Sequence, residues 1–562
     1  MASPRKELPS TDPIEQAIAY HDRTKHHFGQ YARSIGYMDW ETQPNPFRRY
    51  DGATRIVLAH PPLAEHPTYD SLLSGYWEPC SSINQLTISQ FFYESLAISA
   101  WKRIGTGEPW SLRINPSSGD LHPTEGYLVA GPIADICDKP AVYHYNVYEH
   151  ALERRVILAD EHWASLAAQL PSDGFLVALA SVYWRESWKY GERAFRYCHH
   201  DVGHAIGAIT FSAAVLGWHC RLAIGVPDDQ LNVLIGVATQ HGIEAEHGDC
   251  IIVVAPATAA MEHSPILKLP AALLASLRAM NWEGRPNALS SEHHLWPVID
   301  KASAVCRHEG DRSEADRCVA LNNVARPELP DRLVPARAII RQRRSAVDMD
   351  GATNITREVF YRMLMDVVPA FAPFPFDVLP WCPRVSLALF VHRVEELSPG
   401  VYLLVRDASH EVLLRQRLRA EFLWERAPDC PPGLDLYLLV RGDARQAAKA
   451  ISCHQEIAAD GAFSMGMLAQ FASTLEQRGA WMYPRLFWET GLIGQVLYLG
   501  SEVANVRATG IGCFFDDPVH ELFGFHGMAY QSLYHFTIGG HVEDTRLTTL
   551  PPYPVVSLRR CI

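Results

Sequence analysis

Apolar positions along the chain fall into short runs separated by polar clusters, and the runs form two series. In the first, Leu86–Lys102 has helical spacing and predicts a helix, while Gly126–Ala130 and Val142–Tyr148 are strand-like and predict a hairpin. Phe175–Tyr183 predicts another strand. Gly203–Gly217 is apolar nearly all round and closes on glycine, the pattern of a central buried helix. Ile251–Ala255, just ahead of Pro256, predicts a short buried strand. Residues 283–335 are rich in Pro, Asn, Ser, Asp, Glu and Arg without a sustained period, and are read as a connector. Beyond it the order recurs: a helix at about 355–367, strands at about 385–393 and 400–406, a second apolar helix at about 489–504 and a strand near 533–538. These elements predict an α+β fold rather than a strict alternation, with domains at 1–282 and 336–562.

The recurrence extends to single residues. A shift of 288 positions lays Asp201 and Gly203 on Glu489 and Gly491, Asp228-Asp229 on Asp516-Asp517, and Leu234 and Gly236 on Leu522 and Gly524. A shift of 260 aligns Pro123 with Pro383 and His150 with His410, as expected if loops have changed length between two copies of one ancestral unit. The copies differ where chemistry would sit. Only the first carries Asn115-Pro116-Ser117-Ser118-Gly119-Asp120-Leu121-His122-Pro123, and only the second carries Arg343-Arg344-Ser345. The corresponding stretches are Asp377-Val378-Leu379-Pro380-Trp381-Cys382-Pro383 and Gly75-Tyr76-Trp77.

Composition narrows the class. At 562 residues, 48% hydrophobic and 20% charged, the chain is an ordinary globular protein with room for two large domains. A net charge of -13 excludes a broad sequence-independent nucleic-acid surface. The polar start, Met1-Ala2-Ser3-Pro4-Arg5-Lys6-Glu7, has no apolar core of a secretory signal, and no apolar run reaches the ~20 residues of a membrane span. A cytoplasmic protein with no membrane partner is expected. The 12 cysteines are scattered without a Cys-x-x-Cys pair, which predicts free, mostly buried thiols and no zinc site.

Several stretches could carry chemistry. Pro116-Ser117-Ser118-Gly119 offers hydroxyls, exposed amides and close backbone approach, suited to a polar ring edge or a phosphate. Arg343-Arg344-Ser345 supplies two guanidinium forks and a hydroxyl, suited to a phosphate monoester. Lys189-Tyr190 places two proton-transfer groups side by side. Each has a plainer reading: a turn, a solvated basic turn, and a basic helix entry with a packed tyrosine. Cys198-His199-His200-Asp201…His204 lacks a second ligand cluster and is read as helix packing, with no metal expected. Ser452-Cys453-His454-Gln455 is not read as a catalytic pair, because such pairs are defined in space rather than by adjacency. Gly461-Ala462-Phe463-Ser464-Met465-Gly466-Met467 lacks the lysine of a phosphate loop and is read as a helix packing surface.

Taken together, Arg113…Pro116-Ser117-Ser118-Gly119…His122-Pro123…Glu125 and Trp188-Lys189-Tyr190-Gly191-Glu192-Arg193, followed by Asp201-Val202-Gly203-His204, resemble SagB-type flavin dehydrogenases of the nitroreductase superfamily. The resemblance covers most of residues 86–255 and, more faintly, 336–540. It implies FMN as cofactor and azoline-to-azole oxidation, with Lys189 and Tyr190 as the catalytic pair. Members of that family are intertwined homodimers, so the resemblance implies that two tandem nitroreductase-like domains form an intramolecular pseudo-dimer. One composite site would then draw Pro116, Ser117, Ser118 and Asp120 from the first domain and Arg343, Arg344 and Ser345 from the second. Gly510, Ile511 and Gly512 would face the ring edge and Arg546, in competition with Arg559 and Arg560, would close on the phosphate. The reciprocal site would be degenerate. Two alternatives stand beside this reading: an NAD(P)H-dependent reductase of nitroaromatics, quinones or enones, and a flavinless peptide-binding scaffold. The substrate is a small molecule or a peptide in either enzymatic case.

Overall fold

The computed structural model describes residues 11–75, 77, 80–259, 261, 264–310, 326–327 and 330–553. Tyr76, Arg559 and Arg560 lie outside the described residues. Two seven-stranded antiparallel sheets dominate. The first contains β1 (Thr54–Val57), β2 (Thr124–Ala130), β3 (Ala141–Asn146), β4 (Ala151–Ile157), β5 (Phe175–Ser181), β6 (Trp218–Leu222) and β7 (His247–Pro256), in the order β1-β4-β3-β2-β5-β7-β6. The second contains β8 (Val385–Val391), β9 (Gly400–Val405), β10 (Glu425–Arg426), β11 (Asp435–Arg441), β12 (Phe463–Gln470), β13 (Arg507–Ile511) and β14 (Tyr530–Gly539), in the order β10-β11-β9-β8-β12-β14-β13. Apart from the edge strands β1 and β10, the two orders are the same path through the sheet. The fold is α+β.

Both faces of each sheet are buried, so the strands read as continuous apolar runs rather than alternations. In the first sheet, Leu128, Val177, Leu179, Ile252 and Val254 face a core shared by both halves. Their neighbours Val129, Leu176, Ala178, Ile251 and Val253 face a separate outer cluster, as the two-residue period of a strand requires.

Six helices matter for the site: α1 (Tyr183–Tyr190), α2 (Ala194–Val215), α3 (Asp228–Leu234), α4 (Ala336–Gln342), α5 (Met482–Val503) and α6 (Asp516–Phe523). The long helices α2 and α5 cross at the centre, where Gly203 packs on the Trp488 carbonyl and Gly491 on the His200 carbonyl. A Cβ on Gly491 would lie 2.8 Å from Gly203 Cα, so glycine on both helices is what lets the backbones touch. These are the two glycines paired by the 288-residue shift. Helices α3 and α6 both begin with Asp-Asp and are followed by a left-handed glycine, Gly236 at φ 76° and Gly524 at φ 82°.

The halves also exchange segments. Leu547–Leu550 joins a three-stranded sheet with Ile98–Ile104 and Trp110–Arg113 of the first half. Near the other end, the His26 amide and the guanidinium groups of Arg193 and Arg196 converge on Asp516. No helix among the described residues is long and apolar enough to cross a membrane.

Four expectations need correction. The helix read over Leu86–Lys102 spans only Gln85–Tyr93, and its tail is the strand Ile98–Ile104, because Ala97–Ala100 packs edge-on against Trp110–Arg113 rather than continuing a helical face. The central helix begins at Ala194 rather than Gly203, since its first two turns, polar in sequence, are buried against the second half. Phe463–Gln470 is a central strand and not a helix surface; flanked by β8 and β14, it is covered on both faces, which masks any alternation. Cys382 is disulfide-bonded, unlike the free thiols expected throughout.

Candidate functional site

The Ser-Ser-Gly loop and the Lys-Tyr pair meet. A Cβ built on Gly119 would lie 2.6 Å from Tyr190 Oη and 2.8 Å from Lys189 Nζ, and its φ of 63° would strain any side chain there. Helix α1 delivers both side chains: it ends at Tyr190, and Gly191 at φ 56° turns the chain into α2. The first turns of α2 then present Tyr197, whose ring lies 4.4 Å from that of Tyr190, and Asp201, which accepts a hydrogen bond from the Ser118 amide at 3.2 Å.

A buried polar network holds the loop from behind. Arg185 donates to the His122 carbonyl at 2.7 Å and pairs with Glu125. Glu125 and Glu153 flank His144 at 3.0 and 2.9 Å, and Arg113 donates to the Thr124 carbonyl. Despite its burial, His144 is raised to about 9 by these two carboxylates. Glu125 is lowered to about 2, its burial outweighed by Arg185 and by the bond to His144. The loop is thus fixed by charge-assisted bonds with both partners ionised.

The second half contributes from the opposite side. Arg343 follows α4 and reaches across to donate to the carbonyls of Ile114 at 3.2 Å and Arg113 at 3.0 Å. Its Nη1 is buried and has no hydrogen-bond partner. Arg344 donates to the carbonyls of Ser99, Arg341 and Arg343. Ser345 Oγ shares a 2.8 Å hydrogen bond with Tyr498 Oη, which also accepts from the Gly510 amide at 3.0 Å. Gly510 packs against Tyr534, and Gly512 against Tyr197, so β13 and the residue after Ile511 border the same centre.

Arg546 is not brought to this cluster: it is exposed and pairs with Asp544 at 2.7 Å. Nearer the Arg343-Arg344 pair are Lys102 and Arg507, which the sequence reading did not single out. Arg344 is lowered to about 10 by burial and by the charges of Arg343 and Arg507; Lys102 is lowered by burial and by Arg344. The repulsion among these cations is partly offset by Glu502 and by Glu543, which pairs with Arg507 at 3.1 Å.

The acids at the centre are raised. Burial pushes Asp120 up to about 6 against the pull of Arg343 and Lys189. Burial likewise pushes Asp201 up to about 7, restrained by hydrogen bonds from Ser117 and Ser118. Glu186 is raised further by burial and by the neighbouring Asp201 charge. Tyr190 is raised well above its usual value by burial and by Glu186, so at neutral pH it is a proton donor and not a base. The sequence reading missed Glu186 as an ionisable member, although its place one turn before Lys189 puts both on one face of α1. Tyr498 and Tyr534 join only through the tertiary fold and have no local motif.

The histidines at the start of α2 serve the interhelical contact. His199 accepts from Trp488 Nε1, His200 bonds the Leu533 carbonyl, and His204 lies against Gln495 and Tyr534. Among the described residues no group of three His, Cys, Asp or Glu side chains is placed to hold a metal ion. At the place related to the site by the internal repeat, Pro380 and Trp381 of the second copy's loop line a cavity with Leu222, Ala223, Trp488 and Arg485. Arg221 ties that loop to the first half through Asp377 at 2.8 Å.

A solved chain from Anabaena variabilis, provisionally named a nitroreductase, superposes with a TM-score of 0.65 over 94% of this chain and 99% of its own, at 20% identity. The likeness is one of fold. A Methanocaldococcus jannaschii protein, also provisionally named a nitroreductase, is 26% identical over 142 residues, which are 24% of this chain and 70% of that protein. A Ralstonia eutropha chain with the same provisional name aligns over 41% of this chain and 95% of its own, with 13% identity and a TM-score of 0.27. No protein-family model matches the chain.

Proposed function

We propose that this chain is an FMN-dependent oxidoreductase whose halves act as an intramolecular pseudo-dimer around one composite site. One observation carries the reading: Arg343 of the second half lies against the Arg113 and Ile114 carbonyls that lead into the Ser-Ser-Gly loop, while Gly119 of that loop touches Lys189 and Tyr190. The residues fit the cofactor. Lys102, Arg343, Arg344 and Arg507 form a cationic group, partly offset by Glu502 and Glu543 and suited to a phosphate, and Arg343 Nη1 is a buried donor without a partner. Ser345 with Arg343 and Arg344 would hold the phosphate end. Ser117, Ser118 and Asp120, under Pro116, would border the ring system together with Gly510, Ile511 and Gly512. When bound, the flavin supplies two-electron hydride chemistry. The protein positions the reactants and manages the proton.

The nitroreductase names of the relatives favour reduction of a nitro, quinone or enone group at the expense of NAD(P)H. In that direction a proton must reach the acceptor, and the Glu186-Asp201 pair with Tyr190 is a buried store of protons beside the loop. A second reading, oxidation of a heterocycle such as an azoline, is favoured by the Lys189-Tyr190 pair lying directly on Gly119. Anaerobic mixing of the purified protein with NADH or NADPH separates them. The reductase reading expects the flavin absorption to bleach and to return on adding a nitroaromatic or quinone. A flavin that neither nucleotide reduces rejects it.

A further inference from the structure

Outside the proposed flavin site, two thiols from distant parts of the second half meet. Cys453 lies just beyond the helix Arg445–Ile451, and Cys513 just beyond β13 and Gly512. Their sulfurs are 2.8 Å apart and share a hydrogen bond. Both are partly exposed, whereas Cys198, Cys220, Cys250 and Cys306 are buried. Cys453 and His454 have φ of 54° and 59°, in the left-handed region that residues with a side chain rarely adopt.

The two thiols are chemically unequal. The bond to Cys453 and the nearby Arg193 guanidinium favour the thiolate of Cys513 over the effect of burial, while the same bond pushes the Cys453 thiol up. Asp516 opposes this on Cys513, and Tyr31 and Tyr197 also face the pair. With the sulfurs 2.8 Å apart, a mixed disulfide formed on one is within reach of the other.

We propose that Cys453 and Cys513 are a redox-active dithiol that closes reversibly to an intramolecular disulfide by exchange with a disulfide substrate or partner. The Cys513 thiolate attacks one sulfur of the incoming disulfide and expels its first thiol, leaving a mixed disulfide. Cys453 then attacks the Cys513 sulfur, and the second thiol leaves with the proton. Two thiols of the chain lose two electrons and two protons, and one disulfide is reduced to two thiols. A dithiol drives the reverse. Closure ties the segment after β13, including Gly512 against Tyr197, to the end of the helix Arg445–Ile451.

The test does not require bound flavin. The full chain is equilibrated anaerobically in mixtures of reduced and oxidised dithiothreitol, alkylated, and its peptides mapped by mass spectrometry. Cys453 and Cys513 are expected to lose alkylation together, with their peptides linked, while the partly exposed Cys80 and Cys137 remain alkylated. Cys453→Ser is expected to leave Cys513 alkylated in every mixture. The absence of the linked peptide in the most oxidising mixture overturns the proposal. So does independent loss of the two labels, or the loss of Cys513 alkylation in Cys453→Ser.

Discussion

Asp201 and Glu489 occupy the same place in the two copies, and each ties its helix to the loop of its own half. Glu489 accepts from the Arg384 and Val385 amides and pairs with the buried Arg406 at 2.6 Å. Asp201 accepts from the Ser118 amide and has no such arginine; its Oδ2 is buried without a partner. Glu489 is neutralised by Arg406, whereas burial raises Asp201 to about 7, the basis for proposing that it exchanges a proton at neutral pH. Asp201→Asn keeps an acceptor for Ser118 and removes the ionisation. It is expected to lower turnover about 100-fold or more and to erase a pH dependence centred near the Asp201 value of about 7. In the reducing direction the wild-type rate falls as pH rises through that value, since the proton donor is lost; in the dehydrogenating direction it rises. The steady-state pH profile reads both the residue and the direction. At this scale Lys189, Tyr190, Ser117 and Ser118 were legible because a local motif carries them. The raised acids were not, because burial that creates the shift belongs to the whole fold.

Between residues and the whole lie the helix crossing and the loop support. At the crossing, a Cβ on Gly491 would meet the His200 carbonyl and Gly203. Gly491→Ala is expected to destabilise by about 1–3 kcal/mol, as overpacking does, measured by chemical denaturation. Gly500→Ala in the same helix, whose Cβ would find only contacts of 3.9 Å, is the matched control and should be neutral or stabilising. Behind the Ser-Ser-Gly loop, His144 has a folded value of about 9 against an ordinary 6.5. Its contribution is therefore full below 6.5 and disappears as pH rises through 9, a change of about 3 kcal/mol at most by linkage. His144→Gln is expected to cost stability at pH 6 and much less at pH 9.5; a gap that stays constant with pH contradicts the ionised network. The central helices and about half of the strands of the two sheets were readable from apolar runs. The start of α2 and the strand Phe463–Gln470 were not, because polar residues buried between halves and strands covered on both faces carry no period.

For the molecule as a whole, two sheets are threaded in the same order and two long helices cross glycine on glycine at positions 288 residues apart. The reach of Arg343 to the Arg113 and Ile114 carbonyls ahead of the Ser-Ser-Gly loop could be anticipated only through the family resemblance, since no spacing in one chain reveals which loops of two halves face each other. Arg546 shows the limit of such transfer: its neighbourhood holds a C-terminal strand, but its own guanidinium turns to Asp544 and solvent. The two halves differ at these places: one has the cations Lys102, Arg343, Arg344 and Arg507, and the 260-residue shift puts Asp377 and Val378 at the serines of the first half, with Pro380 and Trp381 just beyond. The most direct measurement is the flavin content of the folded chain after gel filtration, for wild type, Arg343→Ala and Lys189→Ala. A single FMN per chain is expected, retained in Lys189→Ala and held about 10- to 100-fold more weakly in Arg343→Ala, which loses charge-assisted bonds across the halves. Two FMN per chain, none at all, or undiminished retention in Arg343→Ala contradicts the composite site.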